Sequence, residues 1–432
     1  MLHIEHNEEM KQKQRKNQVT RISPFSDFFQ KESTSSLLIL LAAILGLVIA
    51  NSNLSEIYFN VLKTEVFIKI GLFQFNMDIQ HLINDALMTI FFFLVGLEIN
   101  RELNTGHLAG FKKAVVPLLA ALGGMLVPAL IYLVVTDFKD LRGWAVPVAT
   151  DIALAVGVLS YFGAKKSGFL RPFLLGLAVI DDIGAILIIA LLFSKGITFQ
   201  WAIISILIVL IVVWFKKINI NTTYVYVVLG VLLWYGLYET GIHPTIAGVI
   251  LGLLAPVTPI IEKKYIDIDE LKNVSTVENA IKTKKIAKNS VSVVEWLEHV
   301  IHPWSAFLVV PIFAFANSGI KIDSKTFELM FQSKVALGIV LGLVIGKPVG
   351  ILLLTYFTKF SKIGQIPKDV KWHQLLGVGN AAGIGFTVAI FIAKLAFKDQ
   401  EIQDLAILSV LVASVISALI AVVAFKISDK NS

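Results

Sequence analysis

The sequence predicts an all-α polytopic membrane protein of twelve transmembrane helices, and three observations carry that prediction. Hydrophobic residues fill 56% of the 432 positions, charged residues only 16%, and mean hydropathy is +0.77, a balance that soluble enzymes do not reach. Apolar runs long enough to cross roughly 30 Å of hydrocarbon, about 20 residues each when helical, recur along nearly the whole chain. Inside one of them, from Phe169 to Phe193, stand two adjacent aspartates, Asp181 and Asp182. A charge at mid-bilayer costs several kcal/mol unless paired or hydrated, so an ionisable residue there points to function.

The elements follow in order. Residues 1–34 form a polar tail carrying Lys11, Lys13, Arg15, Lys16, Arg21 and Lys31, without the short apolar core and small-residue cleavage site of a signal peptide. Residues 35–426 make up the twelve-helix domain, with spans at 36–52, 81–100, 114–136, 145–163, 169–194, 199–215, 222–239, 244–257, 299–318, 334–357, 374–396 and 403–426. The seventh and eighth are separated only by the weak break Gly241-Ile-His-Pro244. A polar insertion at 258–297, rich in Lys, Asp, Glu and Asn, cannot bury enough apolar surface to order itself and reads as a solvated linker. Residues 427–432 form a short C-terminus.

Positive charge sets the orientation. With the N-terminus inside, the cytoplasmic segments hold 27 of the 38 Lys and Arg, so both termini are expected in the cytoplasm. The net charge of +7 then reflects topology and anionic lipid headgroups and calls for no nucleic-acid partner. Cysteine is absent, which excludes disulfide, thiolate and iron–sulfur chemistry. No nucleotide-binding loop of the form G-x-x-x-x-G-K-[ST] is evident, and no cofactor is expected.

The remaining intramembrane charges fall on helices that look broken. In the fourth span, Ala145-Val-Pro-Val-Ala-Thr-Asp151 sets Pro147, Thr150 and Asp151 in an apolar segment. A proline that frees backbone carbonyls beside a hydroxyl and a carboxylate suggests an interrupted helix lining a polar cavity, against the plainer reading of a kink capped by Asp151. The eleventh span is interrupted by Gly377, Gly379, Gly383 and Gly385, each lowering helix propensity by about 1 kcal/mol relative to alanine. Close packing through small residues is the competing explanation. In the tenth span, Lys347 has only apolar or glycine neighbours within a turn, so it must pair with a carboxylate, Asp181 or Asp151, or neutralise a helix end. Spans three to five and ten to twelve thus form two similar triads, entered from opposite sides. That pattern is an inverted-topology repeat, whose interrupted segments point to a midplane substrate site in a secondary transporter.

Eight segments carry a family resemblance: Asn84-Asp-Ala-Leu-Met88, Phe93-Leu-Val-Gly-Leu-Glu98, Ala149-Thr-Asp-Ile-Ala153, Ala178-Val-Ile-Asp-Asp-Ile-Gly-Ala185, Glu298-His-Val-Ile-His-Pro-Trp304, Phe313-Ala-Phe-Ala-Asn317, Gly346-Lys-Pro348 and Gly383-Ile-Gly-Phe-Thr387. In this order they resemble the NhaA family of bacterial sodium/proton antiporters, over nearly everything from Ser35 to about Lys426. The resemblance implies an inner-membrane protein with crossed, discontinuous fourth and eleventh helices, often dimeric, exchanging cytoplasmic Na+ or Li+ for external protons in sodium and pH homeostasis. It maps the ion-binding carboxylates onto Asp181 and Asp182, with Asp182 similar to the main cation ligand. Thr150 and Asp151 match the crossing-point pair, which is expected to join the cation- and proton-binding set and whose carboxylate offsets facing helix N-termini. Lys347 matches a lysine that offsets the C-termini and pairs with an aspartate. Glu98, Arg101, Glu102, Glu298 and His299 resemble a cytoplasmic, pH-sensing funnel, and Asp85 a supporting funnel carboxylate.

The chain departs from that pattern in three places. Asn100 stands where the family motif usually carries lysine, which removes one positive charge from the funnel and leaves the activation pH open. The N-terminal tail and the insertion are longer than a compact member needs. His243 resembles a histidine often found at the start of the eighth helix, though a lone interfacial histidine is more often structural.

The expected mechanism is a competition between Na+ and protons for the Asp181 and Asp182 oxygens, with two protons per Na+ and hence net charge movement. Other classes fit less well. An intramembrane aspartyl protease places its aspartates on different helices in a Gly-x-Gly-Asp context, and a passive channel builds its filter from symmetric rings. A sodium-coupled symporter of an organic solute, on a related inverted-repeat fold, is the main alternative. Na+ against Li+ or K+ preference and oligomeric state are not legible in the sequence.

Overall fold

A computed structural model describes residues 32–430 apart from 71–72, 107, 164–167, 195, 197, 219–222, 259–280, 282–290, 362, 365 and 368–369. The expected tail up to residue 31, nearly all of the polar insertion and the last two residues lie outside the described residues.

The chain is a helical membrane protein. Helix α1 (Glu32–Ala50) ends in a turn, and α2 (Ser55–Leu62) leaves it at 113°. An antiparallel hairpin follows, β1 (Glu65–Ile70) and β2 (Phe73–Asp78), with Glu65 opposite Asp78 and Ile70 opposite Phe73. The all-α expectation missed it, because six-residue strands leave no mark in an analysis tuned to 20-residue apolar runs. Then come α3 (Ile79–Asn104), α4 (Phe111–Val135), a tight 3-10 segment (Leu141–Val148), α5 (Ile152–Phe162) and α6 (Leu170–Leu192). They are followed by α7 (Phe199–Lys217), α8 (Thr223–Thr240), α9 (Ile246–Leu254), α10 (Val293–Ser318) and α11 (Ser324–Gln332). The last four are α12 (Lys334–Phe360), α13 (Trp372–Ala382), α14 (Phe386–Ala396) and α15 (Gln400–Lys430).

Among the described residues, eight helices are long and apolar enough to cross a bilayer, or up to ten if the two bent pairs α1–α2 and α13–α14 each count as one span. The expected seventh span matches α8 in length, and the eighth is shorter. Apolar α8 ends at Thr240, just before Gly241, whose φ of 87° suits glycine, and α9 has 9 residues, about 13 Å of helix, before Pro256 stops it. The expected fourth span starts earlier, at Leu141, and its first half is 3-10 rather than α-helical.

Two triads build the core. In the first, unbroken α4 and α6 flank the interrupted pair of the 3-10 segment and α5; in the second, unbroken α12 and α15 flank the interrupted pair α13 and α14. The triads meet most closely where α4 crosses α12. A Cβ on Gly123 would lie 2.1 Å from the Gly350 oxygen, so only glycines permit this approach of two backbones. Around the two interruptions, Val146, Ala149, Leu177, Ala381, Ala389 and Phe391 form one buried apolar cluster. Side chains such as Leu207 and Leu210 on α7 remain exposed, as lipid-facing groups must be.

Candidate functional site

The two interruptions touch. Ala149 and Asp151 have extended backbones, and the Asp151 N–H donates to the Ile384 oxygen at 2.7 Å, in the gap between α13 and α14. The Thr150 hydroxyl lies 3.0 Å from the Ala382 oxygen, at the end of α13. Backbone groups that an unbroken helix would satisfy internally are thus paired across the crossing, which is how irregular backbone is tolerated at membrane depth.

Asp151 serves two helix N-termini at once. As N-cap of α5 it accepts from the Leu154 N–H at 3.1 Å. Its other oxygen accepts from the Thr387 N–H at 3.1 Å and the Thr387 hydroxyl at 2.6 Å, in the first turn of α14. A carboxylate between two N-termini meets the positive ends of both helix dipoles. Lys347 does the converse. Its ammonium donates to the Val148 oxygen at the C-terminal end of the 3-10 segment and lies 3.0 Å from Asp181 Oδ2. A π turn at Gly342–Gly346 immediately precedes it, and such turns shift the side chains that follow.

Asp181 and Asp182 project from the middle of α6, both buried. Asp181 Oδ2 is held by Lys347 and by the Thr150 hydroxyl at 2.8 Å. A hydroxyl has one hydrogen, so Thr150 donates either to Asp181 or to Ala382. Asp181 Oδ1 and Asp182 Oδ2 are buried and make no hydrogen bond. Unpaired buried carboxylate oxygens are costly, and a proton or a cation relieves that cost. The structure therefore brings together Thr150, Asp151, Asp181, Asp182 and Lys347, and it decides for Asp181 as the lysine's partner.

Three of the five expected funnel residues meet directly. Arg101 bridges Glu298 on α10 at 2.7 Å and Glu102 at 3.1 Å. Glu98 lies one turn earlier on α3, the helix that packs against α6 and its carboxylate pair. His299 is exposed on α10. Asp85 is not in the cluster: it is thirteen residues before Glu98 on the same helix, about 20 Å away at 1.5 Å per residue. It pairs instead with His243 at 3.7 Å, beside Phe391 of α14. Position 100, expected to leave the funnel one charge short, points elsewhere. Asn100 is buried, and its amide donates to the Gly252, Leu253 and Ala255 oxygens at 3.1, 3.0 and 2.9 Å. An asparagine in place of a lysine was the only sequence signal for it.

With this geometry in place, comparison with known proteins assigns the chain. The family model described as Na+/H+ antiporter 1 matches residues 26–425. The chain belongs to this family. Among its relatives, the Na(+)/H(+) antiporter NhaA of Wolinella succinogenes is 41% identical over 407 residues, covering 90% of this chain and 89% of the relative. The Na(+)/H(+) antiporter NhaA 1 of Clostridium beijerinckii is 37% identical, covering 94% and 95%, and the Helicobacter pylori (strain G27) NhaA is 39% identical, covering 94% and 96%. The sodium proton antiporter MjNhaP1 of Methanocaldococcus jannaschii aligns at a TM-score of 0.48 and 14% identity over 90% of both chains. Membership makes the chain a membrane antiporter among transporters, not an enzyme among enzymes. The eight motifs that suggested the NhaA family all lie inside the matched region.

Proposed function

We propose that the chain exports cytoplasmic Na+ or Li+ in exchange for external protons, two protons per cation, across the bacterial inner membrane and under the control of pH. One observation carries the reading: two adjacent buried carboxylates stand at the crossing of two interrupted helices, each with a buried oxygen that lacks a hydrogen bond. Na+ is a hard cation that takes oxygen ligands. Asp181 and Asp182 supply them, and Thr150 and backbone carbonyls freed at the interruptions supply more. Protons compete for the same oxygens, so the site carries either the cation or protons. Exposing it to one side of the membrane at a time couples the two flows without ATP.

Within this reading each neighbour has a role. Asp182 is the main cation ligand, because Asp181 Oδ2 is already engaged by Lys347 and Thr150. Asp151 holds the two helix N-termini and Lys347 the opposing C-terminal end, so the crossing keeps its shape as the carboxylates change charge. Glu98, Arg101, Glu102, Glu298 and His299 form the pH-responsive entrance on the cytoplasmic side. Both termini then lie in the cytoplasm, and a homodimer is part of the proposal.

The test is Na+-dependent proton movement in everted vesicles carrying this protein alone. Addition of Na+ or Li+ should dissipate an imposed pH gradient. If Na+ releases no protons and Na+ uptake instead requires an organic solute, the symporter alternative replaces this reading.

A further inference from the structure

Helix α9 ends at Leu254 and the chain turns at Ala255-Pro256, so the last carbonyls of the helix have no continuing turn to pair with. Those carbonyls are not left to solvent. The Asn100 amide, two N–H groups shared among three acceptors, faces the oxygens of Gly252, Leu253 and Ala255. The amide is itself fixed from behind, because Asn104 donates to the Asn100 side-chain oxygen at 2.9 Å and to its backbone oxygen at 2.8 Å.

Three elements meet at this point. Leu97 of α3, Ala255 after α9 and Val294 of α10 form one small buried cluster. The Val294 N–H donates to the Pro256 oxygen at 3.2 Å, which ties the start of α10 to the end of α9. Along the α3–α9 contact a Cβ on Gly252 would lie 2.6 Å from the Phe93 oxygen, so the two backbones are as close as glycine allows. Arg101 and Glu298, which bridge α3 to α10, project from either side of the junction, and Glu98 is two residues before Asn100.

We propose that Asn100 is a positioning residue for ion exchange: by capping the C-terminal end of α9 it locks α3, α9 and α10 into one unit and so sets where the Glu98 and Arg101–Glu298 charges stand relative to Asp182. The proposal rests on the antiport reading of Asp182. Loss of the amide leaves the Leu253 and Ala255 oxygens without this donor and the Gly252 oxygen with only the Ala255 N–H, which opens the junction to water. Because α3 packs directly on α6, the Glu98 charge then no longer stands at a fixed distance from Asp182, and cation affinity falls although the carboxylate pair is untouched.

The experiment measures half-saturating Na+ and the pH profile of exchange in proteoliposomes, together with thermal unfolding in detergent. Wild-type exchange comes first, and its absence counts against the antiport reading, not against Asn100. Asn100→Leu, similar in volume but without donors, should raise half-saturating Na+ by about fivefold or more, the lower end of ordinary coupling between sites. Asn100→Gln, which keeps the amide, should recover most of the loss. If Asn100→Leu does not accumulate folded, Asn104→Ala bears the test, since Asn104 is exposed and orients the Asn100 amide. It should move half-saturation in the same direction by less. A folded Asn100→Leu, or an Asn104→Ala, that melts earlier yet keeps the wild-type half-saturation and pH profile overturns the proposal.

Discussion

Lys347 Nζ lies 3.0 Å from Asp181 Oδ2, with both side chains wholly buried. Breaking a buried pair from one side leaves the other charge uncompensated, at a cost of about 3–5 kcal/mol. Lys347→Ala is therefore expected to lower the melting temperature strongly. Lys347→Arg should keep measurable exchange with the same charge moved per Na+, because an arginine replaces the charge but cannot release a proton near neutral pH. An Arg variant that exchanges Na+ electroneutrally would make Lys347 a proton carrier instead.

Replacing Asp182 with Asn removes a ligand charge and a titratable site together, so Na+-driven proton release should vanish. Asp181→Asn should be severe but leave some cation binding, since Asp181 Oδ2 is largely committed to Lys347 and Thr150. Isotopic Na+ binding and proton flux in proteoliposomes separate the two variants. Near-wild-type exchange by Asp182→Asn would end the proposed mechanism.

If two protons enter for each Na+ that leaves, net positive charge moves inward. A membrane potential negative inside must then accelerate exchange. A rate indifferent to a valinomycin-clamped potential would mean electroneutral exchange and a different proton count.

Asp151→Asn keeps one oxygen, which can accept from Leu154 or from Thr387 but not from both, and removes the charge between two helix N-termini. Each dipole interaction of this kind is worth about 0.3–1 kcal/mol at the surface and up to ~2 kcal/mol when partly buried. The variant should lose stability on the order of 1–3 kcal/mol while still binding Na+ through Asp182. Calorimetry with and without Na+ tests this: complete loss of Na+ stabilisation would move Asp151 into the ligand set.

Outside the spans, Asp137 pairs with Lys334 and so joins the end of α4 to the start of α12. The lysine's hydrogen bond and charge hold the Asp137 carboxyl below its ordinary value of 3.8. A depressed carboxylate contributes stability above its unfolded pKa and loses it as pH falls through the folded value. Lys334→Ala should therefore lower the melting temperature slightly at neutral pH and make no difference once the pH is well below 3.8. The group is exposed, so the effect should also shrink in high salt.

Much of this protein is written locally. Most of the expected spans, the acidic pair and both interruptions were legible because bilayer thickness dictates about 20 apolar residues per crossing, and any charge, proline or glycine cluster within such a run stands out against it. Where that rule weakens, so did the reading. The hairpin from Glu65 to Asp78 has no apolar length to reveal it, and α9 is too short to cross alone. What the tertiary structure alone decided is partnership. From the sequence, Lys347 could have faced Asp151 or Asp181, and packing of α12 against the crossing gives it Asp181. Asp151 was legible as a cap of its own helix, but its second helix, α14, is brought to it only by the fold. Asp85 shares a helix with Glu98 and yet joins His243, because the length of α3 carries the two acids to different ends. Asn100 looked like a missing charge and is a cap on a helix far along the chain. Hydropathy is a property of consecutive residues, whereas a hydrogen bond between distant ones depends on how the helices cross, and no local pattern encodes that crossing.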